Sequence, residues 1–291
     1  MRTVRAPATS ANLGSGYDTF GVALSHPADI VRVERADRTT IEVTGAGAQF
    51  IPEDPEKNTV GAVADALDAP AHIEIDKGVR PASGLGSSAA SAAGAALALN
   101  DLYDRGYSRE ELVPIAAEGE AVVSGAAHAD NVAPALLGGF TIATEGGVRS
   151  VGTDVPLVAC LPEEPISTRE AREVVPTHLT NEELVATVGN AATLSVGMCR
   201  SDPELVGAGM ADEVVTPNRA ALITGYDDAV EAAREAGAHG VTVSGSGPGV
   251  LAVCPPQRRR AVASAMVEAF ADNGEDARAY RTWTGSGAEF V

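Results

Sequence analysis

The stretch that most constrains this chain is Gly78–Asn100, GVRPASGLGSSAASAAGAALALN. Ahead of it, His72–Asp76 alternates Ile73 and Ile75 with polar neighbours, the period of a half-buried strand. Gly78, Pro81 and Gly84 mark a turn, and the run that follows is rich in Ala and Leu, strong helix formers. Ser87 or Ser88 can cap that helix, and from Pro81 on nothing in the loop is bulkier than Leu85. A strand, a glycine loop and a helix N-terminus in succession leave backbone N–H groups free at the positive end of a helix dipole. That arrangement binds phosphate. The loop is neither common nucleotide fingerprint: no Gly-Lys-Ser/Thr occurs in the chain, and Gly84 and Gly86 are followed by Ser-Ser-Ala. Phosphates would be held here by amides and serine hydroxyls; a glycine-rich helix start that binds nothing is the plainer alternative.

Composition narrows the setting. Forty acidic against 21 basic residues give a formal net charge of −19. Such a surface repels nucleic acid and anionic membranes. Lys57 and Lys77 are the only lysines. An acidic, lysine-poor surface resembles the proteins of organisms that accumulate salt, because multimolar salt screens self-repulsion; an ordinary acidic protein is the alternative. Cys160, Cys199 and Cys254 are odd in number and far apart, without metal spacing, which suggests a reducing cytosol. The first residues lack the apolar core of a signal peptide, and no apolar run approaches the ~20 residues of a membrane span, so a cytoplasmic protein is expected.

Along the chain, Arg2–Ala6 reads as a strand ending at Pro7, followed by a long polar loop over Ala6–Gly21 with Asn12, Asp18 and three glycines. Loops of that length inside a domain tend to be functional. Ala28–Glu34 and Thr40–Thr44 read as strands, and Asn58 can cap a helix to about Leu67. Lys57 and Lys77 each flank an element near the supposed nucleotide loop, which leaves a role against ATP and chance retention both open. Ser108–Ser124 reads as a helix with a Ser108/Glu111 capping box. Glu120, near its end, is either a tolerated surface acid or a Mg²⁺ ligand beside Ser88. His128, Asp130 and Asn131 precede an apolar helix start and could be no more than an N-cap with polar neighbours. Glycines and charges near Glu145–Thr153 suggest a seam between residues 1–150 and 151–291. Beyond it come a strand over Val155–Leu161, a short helix at Ser167–Val174 with Thr168 and Arg172 on one face, and a helix over Asn181–Cys199. Pro217-Asn218-Arg219 precedes another helical run, Tyr226–Ala236 follows, and Gly240–Val253 gives two β runs around Gly-Ser-Gly-Pro-Gly. Arg258–Asn273 is a final helix and Ala277–Thr282 a final strand.

The run Pro81-x-Ser83-Gly84-Leu85-Gly86-Ser87-Ser88-Ala89 resembles the phosphate-binding motif of the GHMP small-molecule kinases. APATSANLGSGYDTFG is similar to that family's first motif, and GVTVSGSGPGVLAV to its third, so all three occur in family order over nearly the whole chain. The resemblance implies an α+β protein with an N-terminal domain of the ribosomal-S5 domain 2 type and a ferredoxin-like C-terminal domain. It implies ATP under residues 81–89, and Mg²⁺ on Ser88 and Glu120. HADNVAPA and STREAREV are most like the branch that phosphorylates a small amino acid. On that likeness Asn12, Asp18, His128, Thr168 and Gly245 line the acceptor pocket, and Arg172 and Arg219 take its carboxylate. The alternative for both arginines is a surface ion pair. Asp130 and Asn131 compete for the place where mevalonate kinase has a catalytic Asp, which leaves the base undecided. A kinase acting on threonine, mevalonate or shikimate, or a non-catalytic ATP-binding protein, is the competing reading. A homodimer is compatible with any of these.

Overall fold

Strand alternation builds the first sheet of the computed structural model, which describes residues 1–124 and 129–291. β1 (Arg2–Ala11) pairs antiparallel with the long β2 (Phe20–Arg35). Pro7 does not end β1. The register shifts between Pro7 and Thr9, and a bulge tolerates a residue with no N–H to donate. The strand runs on to Ala11, so the polar loop shrinks to Asn12–Thr19.

β3 (Thr40–Gly45) lies parallel to β4 (Ala71–Lys77), and β4 pairs with β2. Their crossover carries α1 (Thr59–Ala66), capped by Asn58, which accepts from the Val60 amide at 3.1 Å. β5 (Phe140–Thr144) joins the first residues of β2 and carries β6 (Gly147–Val151) outside it. Against this sheet lies α2 (Ser87–Leu102), buried on every side from Ala89 to Leu99. Its small residues make that possible. A Cβ on Gly94 would meet Val31 at 2.7 Å, so nothing larger lets the helix lie this close to β2. α3 (Arg109–Ser124), with the expected capping box at Ser108 and Glu111, and α4 (Ala129–Leu137) complete the layer.

The second sheet is β7 (Pro156–Pro162), β8 (Gly240–Val243), β9 (Val250–Val253) and β10 (Ala277–Trp283). Its order β10-β7-β9-β8 is 4-1-3-2 in chain order, the antiparallel ferredoxin-like arrangement. α9 (Tyr226–Glu235) and α10 (Arg259–Asp272) cover one face, meeting Val158, Cys160, Val243 and Val250. Leu157, Ala159 and Leu161 point the other way, into a core shared with the first half. Both faces of β7 are therefore buried, and its sequence is a continuous apolar run.

Between β7 and β8 lie α5 (Thr168–Glu173), α6 (Asn181–Arg200), α7 (Pro203–Gly209) and α8 (Val215–Ala220). Pro217, Asn218 and Arg219 sit inside α8 rather than ahead of a helix. Asp212 accepts from the amides of Val214, Val215 and Thr216, which starts the helix early. Pro217 falls in the first turn, where no N–H is required. The last residues leave the second sheet: β11 (Glu289–Phe290) pairs with β1, and the Ala288 amide donates to Ala135 at 2.7 Å.

Candidate active site

The glycine loop between β4 and α2 is the centre of a cleft of about 290 Å³. The cap of α2 is Gly86, in the left-handed conformation at φ 57°, not Ser87 or Ser88. Ser87 turns its hydroxyl back to the Val79 carbonyl at 2.7 Å. A side chain at Gly86 is excluded twice, by φ and by Thr9 Oγ1, which a Cβ would approach to 2.0 Å. The loop carbonyls are pinned from behind. Thr9 N donates to Leu85 O at 3.1 Å, and Ser244 Oγ donates to Gly84 O at 2.7 Å while sharing a hydrogen bond with Ser10. Gly84, Gly86, Ser87 and Ser88 line the cleft, and the amides of Gly84–Ser88 make no hydrogen bond to the described residues. Free amides at a helix N-terminus are the arrangement that can receive an anion. Ser83 is buried and bonds Arg80 O, Pro81 packs near Gly47, and the side chains of Leu85 and Ala89 enter the core. None of those four lines the cleft, although the family resemblance implied them for ATP.

Beneath the loop is a buried ion pair. Lys77 Nζ donates to Asp29 Oδ2, to Ser87 O at 2.7 Å and to Ser91 Oγ at 2.8 Å. Asp29 Oδ1 accepts from the amides of Gly78 and Val79 at 3.1 and 3.0 Å. Both ends of the loop are thus tied to one pair. Burial pushes the Lys77 ammonium below its usual range, against the pull of Asp29. Lys57, in contrast, is on the surface with Asp54 at 3.0 Å.

In front of the loop two more carboxyls are buried. Ser88 Oγ donates to Glu120 Oε2 at 2.9 Å. Burial raises the Glu120 carboxyl to about 7, against the opposing pull of Ser88 and Lys77. Asp130 is raised to about 6, first by burial and then by the charge of Asp18. It sits in the first turn of α4 with Asn131, whose Oδ1 accepts from Thr9 Oγ1 at 3.1 Å. The hydroxyl of Ser88 and the carboxylate of Glu120 are hard oxygen donors that suit Mg²⁺. Among the described residues no group of three or more His, Cys, Asp or Glu could hold a metal alone. A cation here would draw its remaining ligands from phosphate and water, as Mg²⁺ prefers.

The far end of the cleft is built from three segments. Asn12 is left-handed at φ 69°, donates to Gly245 O at 2.9 Å and accepts from the Asp18 amide at 2.9 Å. That fold of the loop aims Asp18 at Arg172, whose guanidinium lies 3.2 Å away, with both side chains 42% exposed. Arg219 is buried. It donates to Ala171 O and Gly245 O at 3.1 and 2.7 Å and stands 5.1 Å over the Tyr17 ring. Thr168 opens α5 at the rim. Of the expected residues, thirteen meet in this one cleft: Asn12, Asp18, Gly84, Gly86, Ser87, Ser88, Glu120, Asp130, Asn131, Thr168, Arg172, Arg219 and Gly245. His128 lies outside the described residues.

Sequence reasoning missed the supports. Asp29 sits in a strand with no motif around it, and Thr9, Ser10 and Ser244 are small hydroxyl residues of a kind found everywhere. Only their placement inside two glycine-rich motifs hinted at a role. Ser167 and Arg169 also line the cleft.

The fold and cleft define a small-molecule kinase. The family model of the GHMP kinases N terminal domain matches residues 57–139, and that of the GHMP kinases C terminal matches 194–272. The chain belongs to the GHMP kinases, ATP-dependent enzymes whose acceptor is an alcohol. It is 72% identical to a homoserine kinase of Haloquadratum walsbyi over 99% of both chains, and 70% identical to one of Haloarcula marismortui over 99% of both. The crystal structure of homoserine kinase from Cytophaga hutchinsonii superposes with a TM-score of 0.90 at 34% identity, covering 100% of this chain and 97% of that one. Mevalonate kinase of L. major shares the fold, with a TM-score of 0.75 at 15% identity over 97% of this chain and 95% of that one.

Proposed function

We propose that this kinase transfers the γ-phosphoryl group of ATP to the side-chain hydroxyl of homoserine, with Mg²⁺ held by Ser88 and Glu120. The observation that carries the acceptor assignment is the Asp18–Arg172 pair at the mouth of the cleft. A zwitterionic amino acid presents an ammonium and a carboxylate side by side, the mirror of that pair. Arg172 takes the carboxylate in a two-pronged, charge-assisted contact, and Asp18 takes the ammonium. Arg219, fixed by two carbonyls and Tyr17, adds positive charge behind it. Mevalonate and shikimate carry a carboxylate but no ammonium, so either would leave Asp18 facing an uncharged group. Sites built around a polar partner reject analogues that lack it.

Phosphoryl transfer asks mainly for position and charge stabilisation. The amides of Gly84–Ser88 receive the phosphates, and Thr9 and Ser244 keep those amides turned outward. Bound Mg²⁺ would neutralise charge on the phosphates. Asp130 and Asn131 orient the hydroxyl. With its carboxyl raised to about 6, Asp130 is ionised near neutral pH and is a better proton acceptor than an ordinary aspartate.

The test is ADP release in high KCl with homoserine, threonine, mevalonate and shikimate. Homoserine is expected to give the highest kcat/KM and the two acids without an amine almost none. Preference for threonine, whose hydroxyl is one carbon nearer the amine, would reassign the acceptor; equal turnover of mevalonate would remove the ammonium argument. Asp130→Asn is expected to slow turnover about 100-fold, and a loss below tenfold would leave orientation as its whole role.

A further inference from the structure

We infer that Arg169, in the first turn of α5, is a further catalytic residue: it leaves its exposed partner Glu173 and closes on the γ-phosphoryl group of bound ATP. The inference rests on the kinase reading above, but not on which alcohol accepts the phosphoryl group.

Among the described residues three basic side chains line the cleft, Arg169, Arg172 and Arg219. Two of them are engaged there. Arg172 faces Asp18 at 3.2 Å, and Arg219 is buried, donating to Ala171 O and Gly245 O. Lys77 is held beneath the loop by Asp29 and does not line the cleft. Arg169 has Glu173 as its one partner among the described residues. Its Nε donates to Glu173 Oε1 at 2.9 Å, and the two side chains are 88% and 62% exposed.

That pair accounts poorly for an arginine at this position. An exposed ion pair one helical turn apart is worth about 0.3–0.5 kcal/mol, and molar salt screens it further. Its order is also the weaker one. A helix favours the acid ahead of the base at this spacing, whereas Arg169 precedes Glu173. A cation in the first turn and an anion in the last both oppose the helix dipole. Local stability would choose the reverse order. What Arg169 faces is the cleft, which Ser167, Thr168 and Arg169 line together.

The chemistry there asks for a cation. On transfer the bond between the γ-phosphorus and the bridging oxygen breaks, and ADP keeps the electron pair. The acceptor oxygen bonds the phosphorus, and its proton passes to the Asp130 carboxylate. Charge meanwhile spreads over the three other oxygens of the γ-phosphoryl group. The free amides of Gly84–Ser88, and Ser88 with Glu120, answer it from the first half of the chain. Arg169 brings a forked donor from the second half, matched to two of those oxygens. A weak resting pair suits that role, because it costs little to leave.

The experiment measures binding of ADP and of the non-hydrolysable β,γ-imido analogue of ATP, with Mg²⁺ in molar KCl. Wild type is compared with Arg169→Ala, Arg169→Lys and Glu173→Gln, and circular dichroism checks each fold. Both side chains are exposed, so melting should not change. Arg169→Ala is expected to weaken binding of the analogue at least about tenfold and to leave ADP within about twofold. It should also lower kcat at least about 100-fold, and Arg169→Lys should recover part of both losses. Glu173→Gln removes only the resting partner and should keep kcat within about twofold. Equal weakening of the two nucleotides, or of neither, overturns the inference. So does a loss confined to KM for the acceptor, or a Glu173→Gln variant as slow as Arg169→Ala. Nucleotide binding is read without any acceptor, so a wrong acceptor assignment leaves this result standing.

Discussion

The glycine loop has buried charge on both of its sides, and the two sides are built differently. Beneath it, Lys77 meets Asp29 directly, and the remaining capacity of the pair is spent on Ser91, Ser87 O and the amides of Gly78 and Val79. In front of it, Glu120 and Asp130 are raised to about 7 and about 6, since burial dominates at both and Asp18 adds like charge at Asp130. The first side is electrostatically closed and holds the loop whether or not anything is bound. The second is costly to ionise in the protein alone, which suits a site completed by cationic and phosphate groups. Perturbed carboxyls gather at functional sites for this reason. A buried charge of itself says little; whether it stands ionised beside an opposite charge or is raised toward neutrality distinguishes the two sides.

Breaking the closed side should give the largest effect. Lys77→Met leaves Asp29 buried without its counter-charge and should cost about 3–5 kcal/mol of stability, read by denaturation in high KCl. Lys77→Met/Asp29→Leu should regain most of it, because an apolar pair often replaces a buried ion pair without loss. If the single variant melts like wild type, the pair is not what holds the loop.

The open side should show the opposite pattern. Ser88→Ala and Glu120→Ala should leave melting near wild type but lower kcat about 100-fold or more, with much smaller changes in ATP binding measured without metal. Equal losses in both readouts would move these residues to the supporting side.

A third variant sharpens the acceptor end. Arg172→Ala should lower kcat/KM for homoserine at least ~30-fold, and Arg172→Lys should recover little, since a point charge replaces a fork. Homoserinol keeps the hydroxyl and amine but lacks the carboxylate. Wild type should strongly prefer homoserine over it, and a variant that keeps the full preference would clear Arg172 of the role.

The smallest effect is in pH. Glu120 binds its proton more tightly folded than unfolded, so between its ordinary 4.5 and about 7 the native state holds more protons than the unfolded one. Stability of the metal-free protein should then fall as pH rises through that window, by about 1–3 kcal/mol from this group. Glu120→Gln should flatten that slope in EDTA; an identical slope would show that the carboxyl is ionised at no cost.

How much of this was legible beforehand differed by element. The glycine loop of residues 81–89 could be read because a tight turn into a helix needs small residues at fixed places, and a local requirement leaves a local signature. Asn58 and Ser108 read correctly as helix starts for the same reason. Gly86, not a serine, caps α2 because Thr9 and Asn131 from elsewhere in the chain crowd that position. Pro7 lies inside β1 because a bulge, invisible in sequence, absorbs it.

The sequence by itself determined the family, the glycine loop and most of the polar residues that line the cleft, since each depends on residue types at short spacing. Only the tertiary structure decided which distant groups meet. It brings Asp29 under a loop some fifty residues away, seats Ser244 against Gly84, and faces Arg172 with Asp18 across the cleft. It also carries Glu289–Phe290 back to β1. The physical reason is that a hydrogen bond or ion pair between remote segments constrains neither segment's own pattern. A serine that pins a carbonyl and a serine in water read alike until the chain is folded.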